Sequence, residues 1–110
     1  MTRLFEEGDV RLDVEGARLA VGGDVDFEVA AGLAASGSAW LAQQPAATRL
    51  VLDLSGVDRV SSAALSVLLE WTRCAEAAGL VIDSVTLSAP LARLTRMAGL
   101  DTLLPDATAA

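Results

Sequence analysis

The chain has 110 residues, is 53% hydrophobic but only 4% aromatic, and carries a net charge of −7. That length suits one domain with one core, residues 1–110, and the apolar share argues against disorder. The eight positive charges are scattered arginines, with no lysine and no histidine, which argues against binding nucleic acid or an anionic membrane through phosphate neutralisation.

The opening stretch, MTRLFEEGDV, lacks the apolar region of a signal peptide. Residues 10–14, VRLDV, alternate apolar and polar as a half-exposed strand does. Gly16 supplies a turn, and residues 18–21, RLAV, form the hairpin partner. GGDVD breaks the pattern, and Asp26 is placed to cap a helix over 27–43. Its apolar positions are 27, 30, 33, 34 and 41. Gly32 and Gly37 weaken that helix by about 1 kcal/mol each against alanine, unless they permit close packing on a sheet. Pro45 lies just past its end.

Residues 49–54, RLVLDL, carry apolar side chains on both faces, the pattern of a central strand. SGVD then turns into a helix over 62–78, with Gly79 at the C-terminal glycine position. Residues 80–87, LVIDSVTL, give the next strand, although Asp83 breaks its alternation. Pro90 opens a helix to about Met97, stopped by Gly99. LDTLLP is a short strand or a helical turn, and DATAA is a frayed end. The order β-β-α-β-α-β-α argues for an α/β fold.

Much chemistry is missing. Without histidine or lysine the chain has no Ser-His dyad, no imidazole ligand and no Schiff base. The single cysteine, Cys74, builds neither an internal disulfide nor a thiolate zinc site, and implies a reducing cytoplasm. VGGDVD lacks the spacing of a dinucleotide or phosphate loop. The carboxylate pairs Asp24/Asp26 and Asp53/Asp58 fall in turns, where capping is the ordinary role. We expect no catalytic residue, no metal and no cofactor. The longest apolar stretch, around AALSVLL, is far short of the roughly 20 residues that span a bilayer, so direct membrane insertion is not expected.

The segment VSSAALSVLLEW holds the main functional signal. Ser61 suits an N-cap, and Ser62 then falls in the first turn, near unsatisfied N–H groups and the positive helix end. Ser66, Glu70, Arg73 and Ala77 make one narrow polar stripe. The apolar arc opposite spans roughly 200°, wider than a core helix needs. Either neighbouring elements cover both its flanks, or one flank is open to a partner. Val67 and Trp71 sit at one margin, where a tryptophan is either an interface anchor or ordinary core edge.

LAVGGDVDFEVA together with RLVLDLSGVDRVSSAALSVLLEWTRCAEAAG resembles the STAS domain family over about residues 10–104. The resemblance implies a mixed sheet with helices on one side and no enzymatic activity. In the anti-sigma-factor antagonist branch, a kinase phosphorylates the second hydroxyl of an Asp-Ser-Ser/Thr-Gly-Leu loop. Here Ser61 aligns with the aspartate, Ser62 with the first serine, Ala63 with the phosphoacceptor and Ala64 with the glycine. The acceptor hydroxyl is therefore missing at Ala63, and Ser62 is the remaining candidate for phosphorylation.

MlaB-type STAS subunits of phospholipid-transport ABC systems resemble the chain more closely, with one hydroxyl residue at the position of Ser62. That branch docks on the cytoplasmic ATPase through this helix and the next. The resemblance implies Ser61, Ser62, Ala63, Val67 and Trp71 as partner-binding residues, and a cytoplasmic protein held at the inner membrane through its partner. The alternative is an anti-sigma antagonist bound to a kinase.

Overall fold

The computed structural model describes residues 1–59 and 62–100, and 107–109 by backbone alone. The elements are β1 (Thr2–Glu7), β2 (Val10–Glu15), β3 (Arg18–Gly23), α1 (Phe27–Ala42), β4 (Arg49–Val57), α2 (Ser62–Ala77), β5 (Val81–Leu87), α3 (Ala89–Met97) and β6 (Ala107–Ala109). They form the expected mixed sheet of an α/β fold, in the order β1-β2-β3-β4-β5-β6. β1, β2 and β3 pair antiparallel. The pairs β3–β4, β4–β5 and β5–β6 are parallel.

Three successive parallel crossovers step in one direction across the sheet. Each is right-handed by the steric rule for such units, so all three helices lie on the same face. Alternation along the strands agrees. Leu12, Leu19, Leu50, Leu52, Leu54, Val85 and Leu87 are buried, on the helix side. The opposite face carries ion pairs between Arg3 and Asp13, Arg18 and Asp53, and Arg49 and Asp83. β4 is therefore covered on one face only; Val51, apolar on the other, is half-buried.

Four expectations need correction. β1 was not foreseen, because only Leu4 and Phe5 of TRLFEE are even half-buried. β4 runs on to Val57 rather than turning at Ser55, since Gly22 pairs with Gly56 and Gly23 with Val57. In β5 a register shift opposite Leu50 and Val51 removes Asp83 from the row of Val85 and Leu87. At the C-terminal end, residues 107–109 extend the sheet beside β5, whereas a frayed end was expected; residues 101–105 of LDTLLP lie outside the described residues.

The two glycines of α1 serve packing, though not against the sheet alone. Gly37 is buried, and a Cβ there would collide with the indole of Trp71. At Gly32 a Cβ would come within 2.8 Å of the Phe5 ring. The missing side chains let α1 sit down on α2 and β1. Trp71 is fully buried, and its Nε1–H donates to the Ala34 carbonyl at 3.1 Å, so the indole is both packed and hydrogen-bonded.

Candidate functional site at the start of α2

The site is assembled from the ends of β3 and β4. Gly23 adopts φ 104°, and a Cβ there would strike the backbone of Asp9. At Gly56 a Cβ would lie 3.0 Å from the Val21 carbonyl oxygen and 3.1 Å from the Gly22 Cα. These glycines let the two strand ends approach, and the Asp58 N–H then donates to the Gly23 carbonyl at 3.1 Å. VGGD and SGVD are thus the paired ends of β3 and β4 with the first residue past each strand.

Asp53 fixes the other side of the β4 end. Its Oδ1 accepts the Ser55 amide at 3.0 Å and the Ser55 hydroxyl at 2.6 Å, while Oδ2 accepts Arg18. Burial pushes the Asp53 carboxyl up, but the Ser55 hydroxyl, the Ser55 amide and the Arg18 guanidinium together hold it below its ordinary value. It is a structural carboxylate. Asp26 is equally occupied: it caps α1, accepting the Val29 N–H at 3.1 Å. Asp24 lies 3.7 Å from Arg59. Asp53 thus lies within β4 rather than in a turn, and Asp24, Asp26 and Asp53 are each engaged by different partners. Among the described residues no group of three or more acidic or cysteine side chains is placed to hold a metal.

Ser62 is the first residue of α2 and is exposed. Its carbonyl accepts the Ser66 hydroxyl at 3.0 Å. Ser62 and Ala63 line a groove of about 320 Å³ with Asp24, Val25, Asp26, Phe27 and Arg59. Ser61, expected as cap and partner contact, lies outside the described residues. Ala63 meets the floor of that groove but is only 1% exposed, and Val67 and Trp71, at 3% and 0%, lie beneath the surface. Neighbouring elements cover both flanks of the wide apolar arc, so these three positions belong to the chain's own core and are corrected as surface contacts. What α2 exposes is Ser62, Ser66, Arg73, Glu76 and Ala77, with Leu69, Glu70, Thr72 and Cys74 half-buried. A Glu70–Arg73 ion pair lies on that stripe.

Two residues of the groove escaped the sequence reading. Phe27 looked like a core position of α1, yet it is 73% exposed. The buried line of α1 is Leu33, Gly37 and Leu41. At about 100° per residue, Phe27 falls roughly 80° from the centre of that line, at the helix's first residue. Its position directly after the Asp26 cap was the available signal. Arg59 follows Asp58 in sequence, and only the loop approach brings it to Asp24.

Among known families, the model described as "Mlab, STAS domain" matches residues 9–105. No curated protein matches the chain.

Proposed function

The chain belongs to the STAS domain family, and from that premise we propose that it is a non-enzymatic interaction subunit. It docks on the cytoplasmic ATPase of an Mla-type phospholipid-transport ABC transporter and supports that ATPase. STAS domains are typically interaction modules without catalysis. No helix among the described residues is long and apolar enough to cross a membrane, so the partner would hold the chain at the inner membrane.

The observation that carries the proposal is Ser62. The exposed Ser62 opens α2 at the rim of a groove, and a buried alanine occupies the next position. In this reading Ser62 touches the ATPase directly. Ala63, Val67 and Trp71 hold the helix in place from beneath.

Co-purification with an Mla-type ATPase subunit tests the proposal. Ser62→Arg places a bulky cation at an exposed position, so the fold and thermal midpoint stay unchanged while co-purification is lost. Retained binding by Ser62→Arg refutes the role of this surface. The exposed Ser62 hydroxyl also favours one rival, an anti-sigma antagonist. Stoichiometric phosphate on Ser62 after incubation with an anti-sigma kinase and ATP, read by mass spectrometry, would replace the ATPase reading with that one.

A further inference from the structure

The groove beside Ser62 has a chemical character that specifies what binds there. Of the four aromatic residues, Phe5 and Trp40 are half-buried and Trp71 is fully buried, whereas Phe27 is 73% exposed. It cannot fold back onto the body of α1. Asp26 is fixed as the N-cap, and a side chain in the first helical turn tilts toward the N-terminus, which here means toward the groove. An exposed aromatic beside a concave surface is the anchor type that dominates protein interfaces.

The groove and its surroundings are anionic. Asp24 and Asp26 line it, the exposed Glu28 follows Phe27, and the backbone N–H of Asp58, itself an exposed residue, bonds the Gly23 carbonyl at the same strand ends. Arg59 is the cation there, 77% exposed and already paired with Asp24. Such a rim repels phosphate and lipid headgroups and steers a positively charged surface toward itself.

We propose that Phe27 and the carboxylates around it form a second half of the docking surface. Its occupant is a protein face with an apolar socket for the Phe27 ring, bordered by lysine or arginine. This rests on the reading of the Ser62 surface as a docking site, and it adds the chemistry of the partner. Phe27 supplies the desolvated anchor. Asp24, Glu28 and Asp58 remain at the wet edge, where they set the encounter rate and its salt dependence.

The experiment replaces Phe27 with p-benzoylphenylalanine in the full chain and irradiates it with the Mla-type ATPase subunit, and separately in its own cells. Adducts are mapped by peptide mass spectrometry. We expect an adduct on a peptide with Lys or Arg beside apolar residues. Its yield drops roughly tenfold or more in the Asp24→Lys/Glu28→Lys background, and Phe27→Ser lowers affinity by a similar factor, as loss of a central anchor does. Raising salt from about 50 to about 500 mM shortens electrostatic reach and lowers yield as well.

An ATPase adduct with these properties supports both readings. The same behaviour on a different protein supports the surface and refutes the ATPase. An ATPase that still co-purifies while position 27 gives no adduct, or an adduct indifferent to charge reversal or lacking Lys and Arg, overturns the inference and leaves the Ser62 reading intact. Absence of both binding and adduct overturns both. Thermal midpoints of Phe27→Ser and the double lysine variant, at exposed or half-exposed positions, confirm that the fold is retained.

Discussion

Replacing Gly37 with alanine should destabilise this protein, although the usual effect in a helix interior is the reverse. Alanine gains about 1 kcal/mol over glycine in helix propensity. Against that, the new Cβ would overlap the Trp71 indole, and the ring has nowhere to go because it is fully buried. Overpacking of a core typically costs about 1–3 kcal/mol. Tilting the ring also strains the Nε1–H bond to the Ala34 carbonyl, worth about 0.5–1.5 kcal/mol net. The balance is a loss of roughly 2 kcal/mol, or about 8 °C in thermal midpoint for a domain of this size. Gly32→Ala is the internal control. Its Cβ meets only the end of the half-buried Phe5 ring, which can swing aside, so that variant should be close to neutral or mildly stabilising. Urea unfolding followed by tryptophan fluorescence measures both. If Gly37→Ala is as stable as the parent with an unchanged emission maximum, the close seat of α1 on α2 is wrong, and with it the placement of the groove between their N-termini.

Two further substitutions probe the strand ends. The Asp53 carboxyl is held below its ordinary value of 3.8, so its contribution is fully present above that value and is lost as pH falls through the lower folded value. Asp53→Asn should cost about 1.5–3 kcal/mol at neutral pH, the range for hydrogen bonds to a charged group. The gap to the parent should close in acid; a gap independent of pH would show that the Arg18 and Ser55 contacts do not act through charge. Gly56→Ala sets a Cβ 3.0 Å from the Val21 carbonyl, where only backbone could yield. It should weaken Ser62-dependent co-purification more than it lowers the thermal midpoint, and unaltered binding would show that the loop spacing does not position the site.

The helices and the parallel strands were legible because periodicity, caps and stops coincided. Asp26 and Pro90 open helices, and Gly79 and Gly99 close them with φ of 73° and 71°. β1 was illegible because an edge strand buries too little to leave an apolar pattern. Its signal was instead the turn at Gly8, φ 60°, between two short runs. The site residues divide along the same line. Ser62 stood out because a hydroxyl at a helix start has few roles. Val67 and Trp71 were misplaced because the breadth of an apolar arc counts neighbours without naming them. It could not say that Gly37 of α1 and the α3 side would close both flanks. Phe27 was missed for the converse reason: a large apolar residue at helical spacing is ordinarily core, and only the geometry shows the chain leaving it outside.

Topology explains why the groove forms where it does. With β3, β4 and β5 parallel and adjacent, α1, α2 and α3 all begin at the same end of the sheet, the end where open parallel sheets place their ligand sites. α2 follows the middle strand of the three, so its first residue is flanked by the starts of both other helices. Helices α1 and α3 each satisfy one free N–H with their own cap, Asp26 to Val29 and Ser88 to Leu91. The fold thus fixes the location, the glycines at 22, 23 and 56 fix the spacing, and in the proposed reading Ser62 with Phe27 supplies the contact. The first two are shared demands of the architecture. On that reading partner choice rests on few residues at this rim, and exchanging those should redirect binding without unmaking the domain.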